Sequence, residues 1–437
     1  MTRRQTHHRF RQELSHVVAV VLLLVACACP GVAGAFSFGV NADNWKGELG
    51  RPGFAQAIKD LGVEFIVWHV SPEEVESDRI MEIVDFCRAN KLAYLFNTEL
   101  TNYVPGVPYF TNADGTYRWD LKPTTMERFK DDPLFLGQVY DEPMLMQSLN
   151  GVVVNGRRIP PYFVDTATMT PQQAFNAVAA KIAEISTYHA SYGKVAVFEM
   201  VLPDYAHAAA RGGAILAPKL LKETCNDLMF SMYAGAARQY QQAELWACPD
   251  LWFLDRFPEK GKGGPGYHTP QHLYESLCYA YTQGFDRVYV EHLKGLVDLD
   301  TGLLTEYGRK VQAFHADRTD LPRRSWKEFE PQLVVKRFPD GYWGQQFSTF
   351  LPNYPYGSRQ TTPALRQAAD QWLLLLHTES KKVLPPNANN WNALRHPFCK
   401  NTSYFPLAGL PPMLVVDHTG GEASSIPAPR VVDLTAP

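Results

Sequence analysis

Eight times between Phe36 and about Arg318, a short apolar run is followed by an amphipathic stretch, and no other feature of the chain limits its fold as much. The runs are Phe36–Val40, Glu64–Val70, Leu92–Asn97, Phe135–Tyr140, Val195–Met200, Leu228–Tyr233, Leu251–Leu254 and Arg287–Val290. Between them, helices are expected at Gly53–Leu61, Pro72–Asn90, near Thr124–Lys130 and at Pro171–Tyr192, with a last one from about Leu304. In Pro171–Tyr192 the residues Ala174, Val178, Ile182 and Ile185 recur at helical spacing. Repeated strand–helix units build a parallel sheet, and eight of them are what a (β/α)8 TIM barrel needs. An open doubly wound sheet is the alternative, but the first turn carries no glycine-rich phosphate loop, so nothing favours a nucleotide.

The barrel accounts for only part of the 437 residues. Residues 1–35 read as a targeting segment, with Arg3, Arg4, Arg9 and Arg11 ahead of the apolar run Val17–Ala28, which is too short to span a bilayer. Val32-Ala33-Gly34-Ala35 offers a cleavage site, and Leu24-Val25-Ala26-Cys27 a competing lipobox that would anchor the chain by a lipid at Cys27. The expectation is therefore a secreted or periplasmic protein, or a surface lipoprotein. Residues 319–437 are aromatic- and proline-rich and read as an appendage packed on the 36–318 barrel. Within it, strands are expected at Leu333–Arg337 and Trp343–Thr349 and a helix at Thr362–Thr378. A net charge of −3 gives no basic surplus for nucleic acid. The cysteine spacings match no zinc pattern and no cofactor is implied; Cys225 and Cys248 form a candidate disulfide pair.

Barrel active sites lie at the carboxyl ends of the strands, and polar residues gather there. The first strand ends in Asn41, Asp43 and Asn44, the second in Trp68 and His69, the third in Asn97 and Glu99. The fourth delivers Asp141 and Glu142 before Pro143, which ends the strand, and the fifth Glu199 and Asp204. Ser231 and Tyr233, Asp255 and Arg256, and Glu291 and His292 complete the ring. Adjacent residues of a strand alternate in direction, so Asp141 and Glu142 should point to different sides. The long loops at the same end, Leu100–Pro123 and Met144–Met169, are rich in aromatic residues, among them Trp119, Tyr162 and Phe163. Flat rings with polar tips suit sugar rings; packing the loops down is the alternative. The glycine-rich stretch Glu259–Gly266 lacks P-loop spacing and reads as a loop over the cleft.

Asp141-Glu142-Pro143 resembles the Asn-Glu-Pro that ends the fourth strand in the retaining glycoside hydrolases of the (β/α)8 clan containing cellulases and β-mannanases. The resemblance implies that Glu142 is the acid/base, with Asp141 in the place of the asparagine that binds the sugar 2-hydroxyl. That clan carries its nucleophile at the end of strand seven, where the reading above has Asp255; the glutamate comes one strand later, at Glu291. The Asp-Glu pair is also similar to that of hexosaminidases whose substrate acetamide acts as nucleophile, a likeness in which Tyr233 would hold the acetamide oxygen. The expected catalytic set is Glu142, Glu291, Asp141 and Asp255. Asp43, Asn44, Trp68, Asn97, Trp119, Glu199, Tyr233, Arg256 and His292 are expected to bind a carbohydrate. The competing classes are a non-catalytic carbohydrate-binding barrel, which needs no close acid pair, and a metal-dependent hydrolase. His69, His207 and His292 show no His-x-His or His-Glu-x-x-His spacing for the latter.

Overall fold

The computed structural model describes residues 36–99, 110–111, 117–118, 120–143, 147, 153–154, 157–158, 161–201, 205–222, 225–251, 268–337, 363–381, 407–418 and 426–434. Eight parallel strands close into a barrel. In chain order they are β1 (Ser37–Asp43), β2 (Phe65–His69), β3 (Ala93–Asn97), β4 (Phe135–Asp141), β5 (Val195–Met200), β6 (Ile215–Leu220), β7 (Trp246–Pro249) and β8 (Arg287–Val290). Each pairs with its neighbours in sequence, and β8 returns to β1 through Ser37↔Arg287 to Val40↔Val290. The fold is a (β/α)8 barrel.

The helices around it are α1 (Phe54–Asp60), α2 (Pro72–Glu76), α3 (Ile80–Asn90), α4 (Pro123–Phe129), α5 (Pro171–Ala190), α6 (Ala206–Arg211), α7 (Asn226–Gln239), α8 (Pro270–Thr282), α9 (Leu293–Leu296) and α10 (Glu306–Asp317). Several starts are written in the sequence. Ser71, Thr170 and Thr269 each cap a helix, accept from the backbone N–H three residues on and precede a proline at the first helical position. The expected long helix Pro72–Asn90 is two helices, α2 and α3, because α2 ends at Ser77, whose backbone is extended.

Strand alternation divides the apolar residues into two compartments. Phe65, Val67, Leu95, Val139, Val197, Trp246 and Tyr289 pack inside the barrel, while Ile66, Trp68, Phe96 and Phe198 face the helices. The base is closed by aromatic rings: Phe65 lies 5.7 Å from Trp246 and 6.1 Å from Tyr289, and the Arg287 guanidinium covers Trp246 at 5.2 Å. The interior is thus filled at the amino ends of the strands and polar only at their carboxyl ends.

Two expected strands are elsewhere. The sixth is Ile215–Leu220, and Leu228–Tyr233 belongs to α7; the seventh is Trp246–Pro249, which ends before Leu251. The reason is what covers α7. A three-stranded parallel sheet, β9 (Leu333–Arg337), β10 (Met413–Asp417) and β11 (Arg430–Asp433), lies in the order β10-β9-β11, with β10 packed along α7. Sandwiched between this sheet and the barrel, α7 is buried at nearly every position, and its largely apolar run Leu228–Tyr233 reads like a strand. Gln239 exchanges hydrogen bonds with the Asp417 backbone, and Asp227 accepts from the Ala408 and Leu410 N–H groups. A helix, α11 (Pro363–Glu379), falls where one was expected, and its Trp372 ring lies under the Arg337 guanidinium at 4.9 Å. Cys225 and Cys248 are both buried but on opposite sides of the wall: Cys225 caps α7 outside the barrel and Cys248 faces its interior, so no disulfide joins the two.

The expected strand Trp343–Thr349, the targeting segment with Cys27, and Cys399 lie outside the described residues. Among the described residues no helix is long and apolar enough to cross a membrane.

The close contact of α7 and β10 is set by Gly235. A Cβ at this position would stand 2.0 Å from the Val415 carbonyl oxygen. Alanine favours a helix interior by about 1 kcal/mol over glycine, whereas overpacking costs about 1–3 kcal/mol. Gly235→Ala is therefore expected to lower the urea midpoint; a midpoint equal to or above that of the unchanged protein refutes the tight packing.

Candidate active site

The inward-facing residues at the carboxyl ends of the strands form one layer. They are Asp43 on β1, His69 on β2, Asn97 on β3, Asp141 on β4, Glu199 on β5 and Lys219 on β6, with Asp250 and Glu291 just past β7 and β8. Lys219 is its centre. The ammonium is completely buried and lies 2.8 Å from Glu291, 2.9 Å from Glu199, 3.2 Å from both Asp141 and Glu142, and 3.4 Å from Asp250. Lys222, two residues beyond β6, adds a second ammonium 3.1 Å from Glu142 and 2.5 Å from Asp250.

On the β1–β2 side, His69 Nδ1 is 2.7 Å from Asp43, and its Nε2 faces Glu99 at 3.3 Å and Asp141 at 3.6 Å. Asn97 donates to Asp141 Oδ2 at 3.0 Å. Opposite, His292 Nε2 is 3.5 Å from Glu291 and 3.7 Å from Asp250. Tyr289 donates from below to Glu199.

These contacts sort the charges. Burial would strip Lys219 of its proton, but Asp141, Glu142, Glu199 and Glu291 outweigh it and hold the group as an ammonium, unable to act as a nucleophile. Burial would raise Glu291, yet Lys219 and then His292 hold it down at about 2. Glu199 goes the other way: burial and Asp141 push it well above the carboxylate range. Burial and Asp141 also raise Glu99 to about 8 against the pull of His69. Burial disfavours a charge on His69, but Glu99, Asp141 and Asp43 win and keep it an imidazolium. The cluster thus drives its carboxyl groups apart, Glu291 down to about 2 and Glu99 up to about 8. Donor atoms of these two residues, His69 and Asp141 lie within 4.8 Å of one another.

Two further triads come equally close, Glu199 with Cys248 and Glu291, and Asp250 with Glu291 and His292. In every one of these sets two carboxylates already face Lys219, so the cation they surround belongs to the chain itself.

The backbone departs from strand geometry where these side chains leave the wall. Glu142, Leu221 and His292, each just beyond its strand, adopt positive φ of 46°, 60° and 69°. Such residues cost of order 1–3 kcal/mol each and persist where their surroundings hold them. The left-handed turn at Glu142 also corrects the expectation that Asp141 and Glu142 diverge. It breaks the strand alternation, and both carboxylates reach the same ammonium. The Glu142 N–H is held at 2.8 Å by the Glu199 carbonyl.

Of the expected site residues, Asp43, Asn97, Asp141, Glu142, Glu199, Glu291 and His292 come together here. Asn44 lies beside them, but its amide is bonded to Glu74 of α2. Trp68 is a correction: it points outward, stacked on Phe54 at 5.5 Å, because its neighbour His69 takes the inward side. Tyr233 is a second correction, being buried in α7 and not at a strand end. Ser231, in the same helix, donates to the Asp227 carbonyl oxygen. Tyr162 and Phe163 pack the loop down, with Phe163 stacked on Phe198. Trp119, Asp204, Asp255, Arg256 and the stretch 259–266 lie outside the described residues. Lys219, Lys222 and Asp250 were missed together with the true β6 and β7; the signal available was a lysine closing the apolar run Ile215–Leu220.

The raised carboxyl of Glu99 has a consequence for stability. Between pH about 4.5 and 8 the folded chain holds a proton there that the unfolded chain has released, so this residue's contribution falls as pH rises through that window. Thermal melts of Glu99→Gln and the unchanged protein should therefore diverge in the variant's favour from pH 5 to 8, by at most about 1.4 kcal/mol per pH unit. Parallel curves would show that Glu99 is not perturbed.

No family model and no curated protein matches the chain. Glycoside hydrolases are among the solved structures it resembles. One is the catalytic module of a family 98 glycoside hydrolase from Streptococcus pneumoniae in complex with the H-disaccharide blood group antigen. That match has 10% identity and a TM-score of 0.43 over 76% of this chain, and spans only 63% of that module. A Bacteroidetes-affiliated GH5 cellulase matches at 10% identity and a TM-score of 0.37, over 68% of this chain and 92% of its own. A spore coat polysaccharide biosynthesis protein from Bacillus subtilis matches at 10% identity and 0.35, over 76% of each chain. At these identities the similarities assign no activity to this protein.

Proposed function

We propose that the protein is a glycoside hydrolase acting on a poly- or oligosaccharide, with Glu142 and Glu291 as its working carboxyl groups. The observation that carries the reading is that both touch one buried ammonium, at 3.2 and 2.8 Å, at the mouth where barrel enzymes do their chemistry. Glycosidic cleavage needs a carboxylic acid to protonate the leaving oxygen. It also needs a carboxylate to meet the positive charge developing at the sugar carbon. Glu291, held ionised at about 2, suits the second role at any ordinary pH. Glu142 takes the first by its position at the end of β4. The closeness of the pair favours catalysis over a binding-only barrel, and Trp119 remains the proposed stacking ring. With Tyr233 in α7, the acetamide-assisted variant lacks the partner expected for it.

A second reading of the acid rests on its own observation. Glu99 is pushed up to about 8 by its burial and Asp141, and it is the most exposed carboxyl of the cluster, at 20%. Glu142, by contrast, stands between two ammonium groups.

A leaving-group comparison decides between them. Replacing the acid by glutamine is expected to lower kcat on a natural glycan by about 10²–10⁴-fold, with part of the rate returning on an aryl glycoside whose leaving group needs no proton. Glu142→Gln is expected to show this pattern, and Glu291→Gln to lose both substrates. If Glu99→Gln shows it instead, Glu99 is the acid. If all three variants retain near-normal turnover, the glycosidase reading falls.

We also propose export, from the arginine-led apolar segment within residues 1–35. Mass spectrometry of the mature chain is expected to find Phe36 at its start. A lipid-modified Cys27 would mean anchoring, and an intact Met1 would refute export.

A further inference from the structure

We propose that Lys219 is a positioning residue of this site: its ammonium is the fixed point from which Glu142 and Glu291 take their separation. The proposal rests on the glycosidase reading above.

Lys219 is fully buried, so it acts on a substrate only through its neighbours. Those neighbours come from four other parts of the wall. Asp141 and Glu142 end β4, Glu199 lies on β5, and Asp250 and Glu291 follow β7 and β8. An ammonium has three N–H groups and cannot donate to five carboxyl groups at once. What holds them is therefore the attraction of a compact point charge, with little demand on direction. Take the charge away and the carboxylates repel one another. Lys222 faces Glu142 at 3.1 Å and Asp250 at 2.5 Å, whereas the ammonium in contact with Glu291, at 2.8 Å, is that of Lys219. A guanidinium cannot replace it, since its planar fork selects one or two acceptors and displaces the rest. Misplacing a reacting group by about 1 Å costs on the order of 100-fold in rate. The cost falls on the chemical step, because Lys219 lies beneath the groups that meet substrate.

The test uses the full-length protein with Lys219→Ala and Lys219→Arg, assayed on a glycan that the unchanged protein hydrolyses. Lys219→Ala is expected to lose about 100-fold in kcat with KM within about threefold, since ground-state binding is left alone. Methylammonium chloride, small enough to enter the vacated space, is expected to restore at least about tenfold, while sodium and tetramethylammonium chloride restore nothing. Lys219→Arg keeps the charge and should fold; it is expected to lose more than about tenfold in kcat and gain nothing from methylammonium. A kcat within threefold of normal in either variant overturns the proposal, and so does a folded Lys219→Ala that ignores methylammonium. Should Lys219→Ala fail to fold, Lys219→Arg decides alone. If the unchanged protein cleaves no glycan, the glycosidase reading has failed separately. The ammonium site is then judged by melting: methylammonium must raise the melting temperature of Lys219→Ala and not that of the unchanged protein, and the absence of that difference overturns it.

Discussion

One buried ammonium organises the mouth of this barrel. Carboxylates at the ends of different strands would repel one another in a low-dielectric interior, and the strands cannot splay because the barrel is closed. Lys219 resolves the conflict from within the wall by standing among five of them. A charge so placed also divides the acids by role. Closeness alone does not decide: Glu291 at 2.8 Å, with His292 beside it, is held down, while Glu199 at 2.9 Å is pushed up by its burial and by Asp141. Glu99, further from Lys219, is pushed up to about 8 by burial and Asp141 against the pull of His69. Carboxyl groups driven apart in this way are what acid and base chemistry at one pH requires, and the proposed hydrolase reading draws on that separation.

The architecture below the mouth exists to keep that arrangement stiff. Aromatic rings and the Arg287 guanidinium fill the amino end of the barrel, leaving no room for the polar layer to sink. Asp43 fixes one face of His69, and Asn97 fixes Asp141. The left-handed residues at 142, 221 and 292 stand where a straight strand would carry its side chains past the centre. Strain at three strand ends around a single cluster argues for a surface shaped by use, since a wall chosen for stability alone has no reason to keep it.

Much of this is legible in the amino-acid sequence, and what is not has a physical cause. The alternation of apolar and amphipathic runs leads to the barrel and to six of its eight strands. Period-two alternation adds detail: once His69 is placed inward, Trp68 must face the helices, as it does. The reading fails where tertiary context overrides local pattern. Pro218 disguises β6 as a loop, and α7 looks like a strand because a distant sheet covers its outer face. With β6 misplaced, Lys219 has no apparent site, and the acids seem to surround an empty mouth. The convergence of Asp141 and Glu142 was equally hidden, since a backbone turn at a non-glycine residue leaves no mark in composition.

The covering of α7 bears on how the chain comes into being. Gln239, at the end of that helix, finds its partner Asp417 only 178 residues later. At about 5–20 residues per second, a ribosome needs roughly ten to forty seconds to cross that interval. Phe329 reaches Phe230 of the helix 99 residues on, but the strand that lies along it, β10, is not complete until the end of that interval. All eight barrel strands are made by Val290, so what comes late is the cover over α7, and the time for which that face waits follows from the distance between Gln239 and Asp417.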